Sequence, residues 1–105
     1  MSLTRVLQDL IILPVVTAFT DADATPTVLD GQLFTTAGTT AITDFDDGVV
    51  GQTITILATA SITITHNASN IILNGGVNYA MTDTDTLTLT MFVAGVWSEI
   101  GRSVN

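Results

Sequence analysis

Two stretches of the chain alternate apolar and polar side chains with a period of two. Thr53-Ile54-Thr55-Ile56-Leu57 and Ser61-Ile62-Thr63-Ile64-Thr65-His66 put isoleucine on one side and threonine on the other, the pattern of a strand with one buried and one wet face. Thr86-Leu87-Thr88-Leu89-Thr90-Met91-Phe92 repeats it, and Ala94-Gly95 then turns the chain into Val96-Trp97-Ser98-Glu99-Ile100, which predicts a hairpin. In that hairpin Leu87, Leu89 and Met91 share one face, Trp97 is expected to be mostly buried, and Arg102 to pair with Glu99. Shorter runs predict further strands: Val28-Leu29 and Gln32-Leu33-Phe34-Thr35 about an Asp30-Gly31 turn, Ala41-Ile42-Thr43, and Ile71-Ile72-Leu73 closed by Asn74-Gly75-Gly76. No helical period occurs after residue 20. Residues 27–105 are therefore expected to form an all-β module of short antiparallel strands, a compact sandwich, prism or β-helix-like unit. Strands recur without a fixed-length repeat, so a regular solenoid is not indicated.

The first 26 residues depart from this pattern and are assigned to an N-terminal anchoring arm and linker. Ser2 suits an N-cap, and Leu3, Val6, Leu7, Leu10 and Ile11 follow at helical spacing. They predict a short helix over Leu3–Leu10, stopped by Pro14. Ile11, Ile12, Val15 and Val16 suit an extended arm equally well. Thr20–Pro26, small and polar, reads as a linker. The run from Val6 to Phe19 imitates a signal peptide, but Gln8, Asp9 and Pro14 interrupt it, and it is too short to span a bilayer.

Composition changes the picture by making a lone subunit implausible. Of 105 residues, 47% are hydrophobic and 11% charged, about half the charged share of an ordinary soluble domain. So apolar a surface is most simply covered by other copies of the chain, and a homotrimer is expected. Leu7, Leu10, Ile11, Ile12, Val15 and Val16 are the interface candidates of the arm, and Trp97 joins them from the module. Two arginines, no lysine and a net charge of −8 leave almost nothing to replace counterions on phosphate, so neither nucleic acid nor an anionic membrane is an expected partner. The absence of cysteine removes disulfides and thiolate chemistry.

Candidate chemistry is sparse. His66, the only histidine, lacks a local nucleophile or orienting acid, and a triad needs both. Asp44-Phe45-Asp46-Asp47-Gly48 imitates the start of a calcium loop, yet Thr55 stands where the bidentate Glu would be. It reads as a solvated turn with side-chain-to-backbone hydrogen bonds. The carboxylate pairs Asp21/Asp23 and Asp83/Asp85 are read the same way, because sugar cleavage would also need aromatic platforms. Asn67-Ala68-Ser69 matches a glycosylation sequon, a triplet common by chance. No catalytic residue, metal or cofactor is expected.

Several motifs together carry a likeness: Ile42–Gly48, Gly51-Gln52 before the alternating strand, Ile62–Asn67, Asn70–Leu73, Asp85–Leu89 and the closing Trp97-Ser98-Glu99-Ile100-Gly101-Arg102-Ser103. The stretch from Ile42 to Ser103 resembles a β module of tail-fibre, tailspike and other virion proteins of tailed bacteriophages. The resemblance implies a trimeric β-prism or β-helix tip that carries structure rather than catalytic residues. With Met1 ahead of the arm and the end just past the module, the chain is expected to be a stand-alone virion protein or else an excised fibre fragment. The favoured expectation is a homotrimeric decoration (cement) protein bound to the major capsid protein on the head surface. The alternative is a tail fibre, tailspike or collar component, held by tail proteins and involved in host attachment.

Overall fold

The computed structural model describes residues 15–105, and its strands form wherever short apolar runs find a partner. They are β1 (Val16–Ala18), β2 (Leu33–Thr35), β3 (Thr53–Leu57), β4 (Ile62–Ile64), β5 (Ile71–Ile72), β6 (Tyr79–Met81), β7 (Thr86–Val93) and β8 (Val96–Ser103). In β3, β4 and the first half of β7 the predicted alternation is the observed one. Ile54, Ile56, Ile62, Ile64, Leu87 and Leu89 are buried, and the threonines between them point the other way. The β7–β8 hairpin turns at Ala94-Gly95, with Gly95 at positive φ.

Six strands form one sheet in the order β1-β2-β3-β7-β8-β5, and β4 pairs with β6 in another. The all-β sandwich stands as expected, but the strand directions are mixed. The pairs β1–β2, β2–β3 and β5–β8 are parallel, whereas β3–β7, β7–β8 and β4–β6 are antiparallel. The Asp30-Gly31 signal does mark a turn, in which Gly31 N–H donates to the Val28 carbonyl at 3.0 Å. It does not make a hairpin, because β2 leaves that turn to lie parallel to β3. Ala41–Thr43 forms no strand of its own; Ile42 makes a single parallel bridge to Ile64.

The second layer extends beyond β4 and β6 through irregular chain. Ile42 exchanges hydrogen bonds with Thr63 and Thr65. Thr43 N–H donates to the Ala24 carbonyl, Asp46 N–H to that of Pro26, and Val28 N–H to that of Asp46. Residues 24–28 thus run alongside 43–46, so the segment expected to be a free linker is tied to the module. Val16–Ala18 is a strand of the large sheet, Pro26 is buried, and Phe19 is in the core. The predicted helix over Leu3–Leu10 and the candidates Leu7, Leu10, Ile11 and Ile12 lie outside the described residues.

One hydrophobic cluster joins the inner faces of the two layers. An aromatic series crosses it: Phe34 stacks on Phe19 at 5.0 Å, Phe19 meets Phe45 at 5.9 Å, and Phe45 meets Trp97 edge-on at 6.0 Å. Such offset and edge arrangements suit the ring quadrupoles. Gly48 backs onto the far side of the Trp97 indole, where a Cβ would come within 2.3 Å of Cζ2. Phe45, expected in a solvated turn, is instead a core residue. The acidic run around it is the edge of the second layer.

Candidate functional site

Cross-strand register defines the outer face of the six-stranded sheet. One row runs Val16–Leu33–Thr55–Thr88–Gly101, and the next Ala18–Thr35–Leu57–Thr86–Ser103. A third runs Thr53–Thr90–Ser98–Ile72. No charged residue occurs in these rows. Thr53 and Thr90 share a hydroxyl hydrogen bond of 2.8 Å, and Thr55 and Thr88 one of 3.0 Å. Each hydroxyl pair therefore satisfies itself within the chain. Val16, Leu57, Ile72 and the bulge residue Ile100 are exposed around them. Of the expected interface residues, Val15 and Val16 are exposed, while Trp97 is enclosed within the single chain and presents no surface.

The inner face of β8 ends in a charged cluster that a β-bulge creates. Thr88 pairs with Gly101 but Leu89 with Glu99, so Ile100 is the extra residue. On a regular strand Glu99 and Arg102, three apart, would point to opposite faces; the bulge brings them to one side. Arg102 Nε and Nη2 donate to the two Glu99 oxygens at 2.6 and 2.7 Å, the expected pair in bidentate form. The guanidinium also lies 3.8 Å above the Tyr79 ring, a cation–π contact with no signature in the linear sequence. Asn74 N–H donates to Glu99 Oε1 at 2.9 Å, anchoring the 3-10 turn Asn74–Gly76 to the hairpin.

Asp85 ties the same open end of the hairpin, one residue before Thr86, which pairs with Ser103. Its carboxylate is buried and accepts from Thr82 N–H at 2.8 Å, Thr82 hydroxyl at 3.2 Å and Asn105 N–H at 2.7 Å. Backbone donors from Thr82 and Asn105 hold its pKa below the ordinary carboxylate value. For Glu99, the Arg102 hydrogen bonds do the same against an opposing push from burial. A carboxylate with a depressed folded-state pKa contributes stability above its unfolded value, and loses it as pH falls through the folded one. Stability is therefore expected to decline below about pH 4. Asp85→Asn should flatten that decline, as read from thermal midpoints between pH 5 and pH 3. An equally steep decline in the variant would place the acid sensitivity elsewhere.

A cleft of about 520 Å³ opens where the Leu29–Gln32 and Asp47–Gln52 segments meet the start of β3. Gln52 braces it: its amide donates to the Val28 and Gly31 carbonyls at 2.8 Å each, and its oxygen accepts from Val49 N–H at 3.1 Å. The Gly-Gln of the motif thus has a structural duty. Asp30 and Asp47 line the cleft, and Asp47 accepts from the Thr27 hydroxyl at 2.5 Å. The remaining candidates do not converge. His66 Nδ1 accepts from Leu73 N–H at 3.1 Å, a packing role. Asp44 and Asp23 bond to nearby backbone N–H groups. Among the described residues, no three His, Cys, Asp or Glu side chains gather as a metal site would require.

No curated protein and no solved structure matches this chain. A family model does, over residues 8–98, so it takes in β1 to β7 and the start of β8, with most of the described sandwich. The observed two-layered β-sandwich agrees with the description of that family. The chain belongs to the phage depolymerase C-terminal beta sandwich domain family, a β module of tailed-bacteriophage virion proteins.

Proposed function

We propose that this chain is a non-catalytic structural module that assembles as a homotrimer in the tailspike or tail fibre of a tailed bacteriophage, held there by tail proteins. The match to the depolymerase C-terminal sandwich family over residues 8–98 is the observation that carries this reading. The disposition of polar side chains supports it: Asp85, Glu99, Gln52 and His66 each brace backbone or a neighbouring side chain. A role in host attachment follows from the tail position and from no residue singly.

Capsid decoration is the second reading, with the major capsid protein as partner. The net charge of −8 favours it, because strong like charge keeps densely displayed copies apart and soluble. Counting copies per particle by quantitative mass spectrometry of purified virions separates the two. A small number, co-purifying with detached tails, is the expected result. Hundreds of copies, retained on tailless heads, would overturn the tail assignment in favour of decoration.

A further inference from the structure

We infer that the outer face of the six-stranded sheet is where a second copy of this chain docks, an assignment that rests on the self-assembly proposed above. The argument begins with charge. Two copies at −8 each repel one another, and buried interface centres are depleted of charge. Of the two arginines, Arg102 is already committed to Glu99. A contact that buried the aspartates would thus strand them without cations, leaving their desolvation uncompensated. The three outer rows of the sheet carry no charge, and Asp30 and Asp47 stand only at their margin, around the cleft that Leu33, Thr53 and Thr55 help to line. Two like copies can therefore meet over the rows without a carboxylate at the centre of the contact.

Hydrogen bonding points the same way. Hydroxyls that rely on water lose it when an interface closes, and a buried donor without a partner is costly. On this face Thr53 and Thr90, and Thr55 and Thr88, bond to each other across strands. Their hydroxyls keep a partner when water leaves. Exposed apolar side chains border them, with Ile72 40%, Leu57 39% and Ile100 57% exposed. Ile100 is the extra residue of the bulge, exposed next to Gly101 of the outer row. Val77, 62% exposed, lies between the 3-10 turn and β6 and belongs to none of the three rows, so it serves as a control.

The test uses the full chain and Leu57→Asp/Ile100→Asp, with Val77→Asp as control, followed by analytical ultracentrifugation at micromolar concentration. The wild type and Val77→Asp are expected to sediment as one oligomer, and the double variant as the 11.0 kDa chain with an unchanged circular dichroism spectrum. A double variant that remains folded and oligomeric overturns the face assignment while sparing self-assembly. A monomeric wild type overturns both. Should the double variant not fold, the absence of cysteine allows a milder probe. In the wild-type background, Ile100→Cys is expected to react with a maleimide at least tenfold more slowly than Val77→Cys. Equal rates in an oligomeric sample would rule the face out.

Discussion

Trp97→Ala is expected to destabilise the fold by about 3–5 kcal/mol, the range for truncating a large buried aromatic. The indole is fully buried on the inner face of β8, opposite Met91 and beside Ile71 in register, with Phe45 edge-on at 6.0 Å. Gly48 closes the remaining side, and its lack of a Cβ is what allows the ring to lie there. Truncation would leave a cavity that the paired strands cannot collapse into without breaking register. Since small domains hold only about 5–15 kcal/mol in total, the loss would be a large share. Trp97 is the only tryptophan, so the measurement should be urea unfolding followed by circular dichroism. Trp97→Phe is expected to cost less. The indole Nε1 is buried with no hydrogen-bond partner among the described residues, so removing it forfeits no bond and relieves an unsatisfied donor. A midpoint for Trp97→Ala equal to wild type would show that the core closes without the indole.

The second large effect concerns the segment ahead of the module. Phe19→Ala is expected to cost about 3 kcal/mol, because the ring stacks on Phe34 and touches Phe45 inside the common core. Its N–H also donates to the Thr35 carbonyl at 2.9 Å, extending the β1–β2 pairing. Val77→Ala, exposed between the 3-10 turn and β6, is expected to change stability by less than about 0.5 kcal/mol. Differential scanning calorimetry of the two variants gives the contrast directly. If Phe19→Ala melted with wild type, the module would begin after β1 and residues 15–20 would belong to an arm.

The strands legible in the sequence are those whose burial repeats locally. Ile54/Ile56, Ile62/Ile64 and Leu87/Leu89 alternate with threonine, and a period of two needs no knowledge of the partner strand to place one face inward. The β7–β8 hairpin was equally legible, because its turn and both its strands are contiguous. The burial of Trp97 and its neighbour pair Glu99–Arg102 followed from that hairpin, although only the bulge at Ile100 explains how residues three apart share a face.

What the tertiary structure alone decided is everything that depends on contacts distant in sequence. β1 and β6 are three-residue strands with no pattern long enough to read, and each exists because a partner is already in place, β2 for one and β4 for the other. The parallel pairing of β2 with β3 replaced an expected hairpin, since a turn signal fixes a local reversal but not which strand the chain then joins. Phe45 sits within an acidic run that reads as solvent-exposed, and it is buried because residues 24–28 run beside it and Trp97 receives its ring. The uncharged outer face has the same origin. Its threonines were recognisable as a non-core set along each strand, but their hydroxyl pairs, and the absence of charge across three rows, arise only when register brings strands from distant parts of the chain side by side.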